Sequence, residues 1–60
     1  MITIHLRYRD NPRPQIQGSP NWAKALRIAR AEAARGARIA LITDGMTFLV
    51  GRQLTRVLAN

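Results

Sequence analysis

One long stretch of this chain, Ser19 to Gly36, carries helix signals at both ends, and runs earlier and later in the chain, Ile2 to Arg9 and Ile39 to Val50, read as strands. A lone helix between strands has few ways to hide its apolar side; it must lie on one face of a sheet built by its neighbours. Ser19 is a preferred N-cap, and Pro20 suits the first helical position, where its missing N–H costs nothing. Residues Asn21 to Arg35 are rich in alanine and arginine, both strong helix formers, and Gly36 is the expected left-handed stop. Helical spacing gathers Trp22, Ala25, Leu26, Ala29 and Ala33 on one face and Lys24, Arg27, Ala31 and Arg35 on the other. Small alanines let such a helix sit close on a sheet, and Trp22 reads as a core residue at the end of that contact.

Before the helix, Ile2, Ile4, Leu6 and Tyr8 alternate with Thr3, His5, Arg7 and Arg9, the period of a half-buried strand. Residues Asp10 to Gly18 contain Pro12, Pro14 and Gly18, a density of breakers that predicts an extended loop. After the helix, Asp44-Gly45 between two β-rich runs is a type I′ hairpin signal. A two-residue turn there sets Thr43 opposite Met46, Leu41 opposite Phe48 and Ile39 opposite Val50. It gathers Ile39, Leu41, Met46, Phe48 and Val50 on one face and leaves Arg38, Ala40, Ile42, Thr47 and Leu49 on the other. The tail from Gln53 to Asn60 fits either a short helix, through Leu54, Val57 and Leu58, or a fourth strand.

The expected fold is one α+β domain over residues 1–60, with a loop at 10–19. It is a small two-layer β-α-β-β sandwich, with one helix on a three- or four-stranded sheet and a short C-terminal turn. The predicted core is Ile2, Ile4, Leu6, Tyr8, Trp22, Leu26, Ala29, Ile39, Leu41, Phe48 and Val50, with the second sheet face open.

Sixty residues bury only about 60% of their unfolded surface, so such domains usually need a staple. There is no cysteine and one histidine, which excludes disulfides and a cysteine- or histidine-rich metal site; a second copy or a larger partner is left. No basic-then-apolar leader is visible and no apolar run approaches the ~20 residues of a membrane span, so a cytoplasmic, membrane-free protein is expected.

Nine of the ten basic residues are arginine, against three acids, for a net charge of +7. Guanidinium forks onto carboxylate or phosphate with two hydrogen bonds at once, so this chain is suited to an anionic partner. Catalysis is not expected. His5 has no carboxylate nearby in sequence, Ser19 is accounted for by capping, Asp10 and Asp44 by turns, and Glu32 by pairing with Arg35. The four glycines stand singly, so no phosphate loop exists, and no cofactor is called for.

Two basic surfaces follow from the faces. The open sheet face presents His5, Arg7, Arg9 and Arg38, with Arg13 from the loop; the outer helix face presents Lys24, Arg27 and Arg35, flanked by Arg30. The sheet face mixes these charges with Ile42 and Leu49, as contact surfaces do. It lacks stacking aromatics in this reading, which leaves non-specific backbone binding as the nucleic-acid mode. An acidic protein surface or a nucleoprotein complex is the partner expected first; non-specific nucleic acid and a homodimer are the alternatives.

The helix segment Ala23-Lys24-Ala25-Leu26-Arg27-Ile28-Ala29 and the hairpin Arg38-Ile39-Ala40-Leu41-Ile42-Thr43-Asp44-Gly45 through Leu49-Val50 give the chain a layout that resembles small phage-encoded anti-CRISPR proteins acting on type I surveillance complexes. The resemblance covers most of the chain. It implies a non-enzymatic inhibitor that binds Cas subunits, often where guide RNA or target DNA would lie, and it carries over no catalytic residue. Many such inhibitors are acidic mimics of DNA; a strongly basic chain departs from that pattern and implies contact with an acidic protein patch or adjoining nucleic acid.

Overall fold

The computed structural model describes residues 1–59, Pro12 by its backbone alone. Its elements are β1 (Ile2–Tyr8), β2 (Asn11–Ser19), α1 (Trp22–Ala34), β3 (Ala37–Thr43), β4 (Phe48–Leu49) and α2 (Gly51–Ala59). The four strands form one antiparallel sheet in the order β2-β1-β3-β4, so the expected α+β class is the one that forms.

β1 is central, and its alternation does what the sequence promised: Ile2, Ile4 and Leu6 are buried against the helices. Residues 11–19, expected as a loop, form β2 instead. Prolines are tolerated there because β2 is an edge strand, with one side facing away from the ladder. Regular pairing runs from Ile2↔Ser19 to Leu6↔Gln15, then shifts before Tyr8↔Asn11, so the two prolines fall inside a bulge opposite Arg7.

Ser19 is therefore not the helix cap. It ends β2 with 2% of its surface exposed, and its hydroxyl donates to the Asn21 carbonyl at 3.1 Å. Asn21 caps α1: it is extended (φ −150°, ψ 167°), and its Oδ1 accepts from the Lys24 N–H at 2.8 Å. The helix closes as expected at Gly36, which takes φ +100° while its N–H donates to the Ala33 carbonyl. Ala25 and Ala29 are fully buried, which brings α1 down onto the sheet; Trp22 and Leu26 flank them, half-buried.

The β3–β4 hairpin departs from expectation in two ways. Its turn is four residues, Asp44 to Thr47, because β3 and β4 pair through Thr43↔Phe48 and Ile42↔Leu49. Asp44 organises that turn: Oδ1 accepts from the Met46 N–H at 2.8 Å and the Thr47 N–H at 2.6 Å. Those amides, Thr47 first and Met46 next, hold its carboxyl below the usual range. β3 also carries a bulge. Its register with β1 slips by one between His5↔Leu41 and Leu6↔Ile39, leaving Ala40 as the extra residue. A bulge resets the side-chain alternation. Ile39 and Ile42 both turn inward, while Arg38 and Leu41 both turn outward.

The predicted core is corrected accordingly. Leu41 lies on the open face beside His5; Phe48 and Val50 are 55% and 49% exposed. Ile42, expected outside, is wholly buried opposite Ile4, and Leu49 packs against the core beside it. The tail settles as a helix. α2 buries Leu54, half-buries Val57 and Leu58, and lies against α1, where the Arg30 guanidinium donates to the Val57 carbonyl at 3.0 Å. Asn60 lies outside the described residues. Both helices share one core with the inner sheet face, and no described element packs on the outer face.

Candidate functional site

The outer sheet face is built of cross-strand rows. Arg7 of β1 stands opposite Arg38 of β3. The next row runs Ile16–His5–Leu41, and the one beyond it Gly18–Thr3–Thr43–Phe48. Thr3 ties the middle of the face together: its Oγ1 lies 3.3 Å from His5 Nε2 and 3.4 Å from the Thr43 carbonyl. The Met1 side chain covers Gly18, so close that a Cβ there would meet Sδ at 2.9 Å. The face thus has a guanidinium end and an apolar end formed by Met1, Ile16, Leu41 and Phe48.

The guanidinium end is electrostatically unsatisfied. Like charges directly opposite on a sheet repel. The one ion pair among the described residues joins Glu32 to Arg35 at 3.6 Å, as the spacing predicted, on the other layer. Arg7, Arg9 and Arg38 instead line a surface cleft of about 430 Å³ with Tyr8 and Gly36. Arg7 and Arg38 also line a smaller hollow of about 240 Å³ with Ala40. Three cations around one cleft without a carboxylate can hold an anionic group with charge-assisted hydrogen bonds.

The eight residues singled out in the sequence separate. Arg7, Arg9 and Arg38 come together, and His5 sits one row away, half-buried. Arg13 is exposed on the β2 bulge, its N–H donating to Asn11 Oδ1 at 3.1 Å. Lys24 and Arg27 are exposed on α1 and Arg35 is exposed at its C-cap, in the layer opposite the open face. Arg30, on the flank of the same helix, is engaged with Val57.

Ile42 and Leu49 leave the proposed contact surface for the core, and Leu41, Phe48 and Ile16 take their place. That Leu41 and Phe48 share a face was legible from the hairpin parity, although Phe48 stands opposite Thr43 and not Leu41; which face they share was not legible. Ile16 was hidden inside a segment whose prolines argued against a strand.

No protein-family model, curated protein or solved structure matches this chain. No helix of the described residues is long and apolar enough to cross a membrane.

Proposed function

We propose that this chain is a non-enzymatic binding protein that docks an acidic surface through the arginine end of its open sheet face. The observation carrying this reading is the Arg7–Arg38 pair, two facing cations that share a cleft with Arg9 and, among the described residues, form no ion pair. An arrangement that costs the free protein repulsion gains most when a carboxylate or phosphate enters. The exposed Ile16 and Phe48 on the same face favour a protein partner, since a bare phosphate backbone would leave them in water. A nucleoprotein complex of the type I surveillance kind, with an acidic protein patch beside nucleic acid, is the partner proposed, in line with the layout resemblance.

A second reading has its own observation. Phe48, expected in the core, is exposed on the arginine face and supplies a stacking surface for single-stranded nucleic acid. It is one aromatic, set two rows from the arginines, where sheet readers use two or three bases' worth of stacking.

Binding of the purified chain to a type I surveillance complex and to oligothymidylate, each over a salt series, separates the two. The first reading expects binding to the complex that survives nuclease treatment. It also expects the Arg7→Ala/Arg9→Ala/Arg38→Ala variant to bind at least about a hundredfold more weakly, three charge-assisted contacts being lost. Full binding by that variant removes the surface from consideration. Tight, steeply salt-dependent binding to oligothymidylate that is lost in Phe48→Ala establishes the second reading instead.

A further inference from the structure

β3 is seven residues long, but β4 meets only its last two, Ile42 and Thr43. The chain leaves the sheet at Val50. Gly51 adopts φ +56°, a left-handed turn suited to glycine, and swings the backbone straight into α2. From Ala37 to Leu41, the side of β3 facing away from β1 has no strand paired to it, and no backbone hydrogen bond from a turn or loop reaches it among the described residues. An unpaired strand edge is a template for another extended chain.

What distinguishes this edge is its neighbour. Arg38 is the second residue of the free stretch and projects to the open face beside Arg7, and both residues line the cleft. A strand added along Ala37–Leu41 would place a side chain directly opposite Arg38, one strand further from Arg7. An acidic side chain there meets two guanidinium groups; a basic one meets repulsion.

We infer that the free edge of β3 accepts an extended acidic segment of a partner protein as a fifth strand. Its backbone pairs on either side of the Ala40 bulge within Ala37–Leu41, and a carboxylate-bearing residue sits opposite Arg38. This is strand addition, in which main-chain hydrogen bonds supply affinity and alternate side chains supply choice. Charge selects against a second copy of this chain. Antiparallel pairing of two β3 edges centred on Arg38 would set the two guanidinium groups directly opposite, and pairing centred on Ile39 would leave them as diagonal neighbours on one face, within molecules that each carry +7. The inference rests on the arginine-face reading for its charge and on the strand edge for its geometry, and the two are separable.

The test uses the full chain and two synthetic peptides of alternating glutamate and valine. They are identical except that one carries backbone N-methyl groups on alternate residues of the edge that would face β3. The methyl groups keep every charge and remove the ladder donors. Binding is followed by calorimetry and by amide hydrogen exchange.

The inference expects the unmodified peptide to bind. It expects N-methylation to weaken binding at least about tenfold, and Arg38→Ala to weaken it several-fold. New exchange protection should fall on amides within residues 37–41. Equal binding of the two peptides overturns strand addition while leaving the arginine face intact as an acidic-protein site. No binding of either peptide, or protection appearing along β2 instead, overturns the inference outright. Binding unchanged in Arg38→Ala and in Arg7→Ala, with N-methylation still harmful, overturns the acidic choice and with it the charge on which the arginine-face reading depends.

Discussion

Asp44 and Asn21 show how single polar side chains decide local structure here. Asp44 accepts two backbone amides, so its ionised form is favoured in the folded chain and its pKa falls below the ordinary 3.8. The sign of the linkage follows: the turn's contribution is fully present above that ordinary value and is lost as pH falls through the lowered folded value. Asp44→Asn keeps an acceptor and removes the titration. Thermal midpoints from pH 5 down to about 2 should therefore fall more steeply for the parent than for the variant; parallel curves would deny the turn this role. Asn21 makes the same kind of bond at the start of α1. Asn21→Ala should cost about 1 kcal/mol in urea unfolding, while Ser19, expected as the cap, is engaged instead with the Asn21 carbonyl.

Among the elements, β3 shows where sequence reading stops. Ile39, Leu41 and Ile42 are all apolar, and strict alternation allows Ile39 with Leu41 inward or Ile42 alone. Neither occurs. The bulge at Ala40 takes Ile39 and Ile42 inward, because Leu6 and Ile4 on β1 offer inward partners at those two registers. Only the neighbouring strand sets that choice. Ile42→Ala should therefore destabilise by about 2–4 kcal/mol, as removal of a buried aliphatic side chain does. Phe48→Ala, at an exposed site, should change stability by no more than about 0.5 kcal/mol. Matched urea titrations would expose an error: a large loss at Phe48 with little at Ile42 restores the unbulged hairpin. β2 is a parallel case. Prolines speak against a central strand but not against an edge, and strand order cannot be read from the proline itself.

At the scale of the molecule, charge and core are segregated by layer. The helices close one sheet face and the arginines gather on the other and on the helix exterior. A 60-residue domain has little stability in reserve, so a repulsive pair such as Arg7–Arg38 is a real cost. Arg7→Ala/Arg38→Ala should melt no lower than the parent, and higher at low salt, where repulsion is least screened. Partner binding should collapse in the same variant. A variant that melts well below the parent would mean that these arginines serve packing and that their part in docking has been misread. The arginine half of the face was legible because Arg7 lies on β1, whose alternation is unbroken, and Arg38 precedes the β3 bulge, where parity still holds. The apolar half lies beyond it, where parity had already reversed.

The amino-acid sequence alone determined the α+β class, the amino-terminal strand, the helix with its buried alanines and the facing of Arg7 and Arg38. Each of these follows from local periodicity and from residues that start or stop an element within a few positions. Tertiary structure alone decided that a proline-bearing segment joins the sheet, that Ile42 rather than Leu41 is buried, and that β4 ends early enough to bare an edge of β3. Those outcomes depend on which strand lies beside which, and at what register. That is a competition among contacts distant in the chain, and no local pattern encodes it.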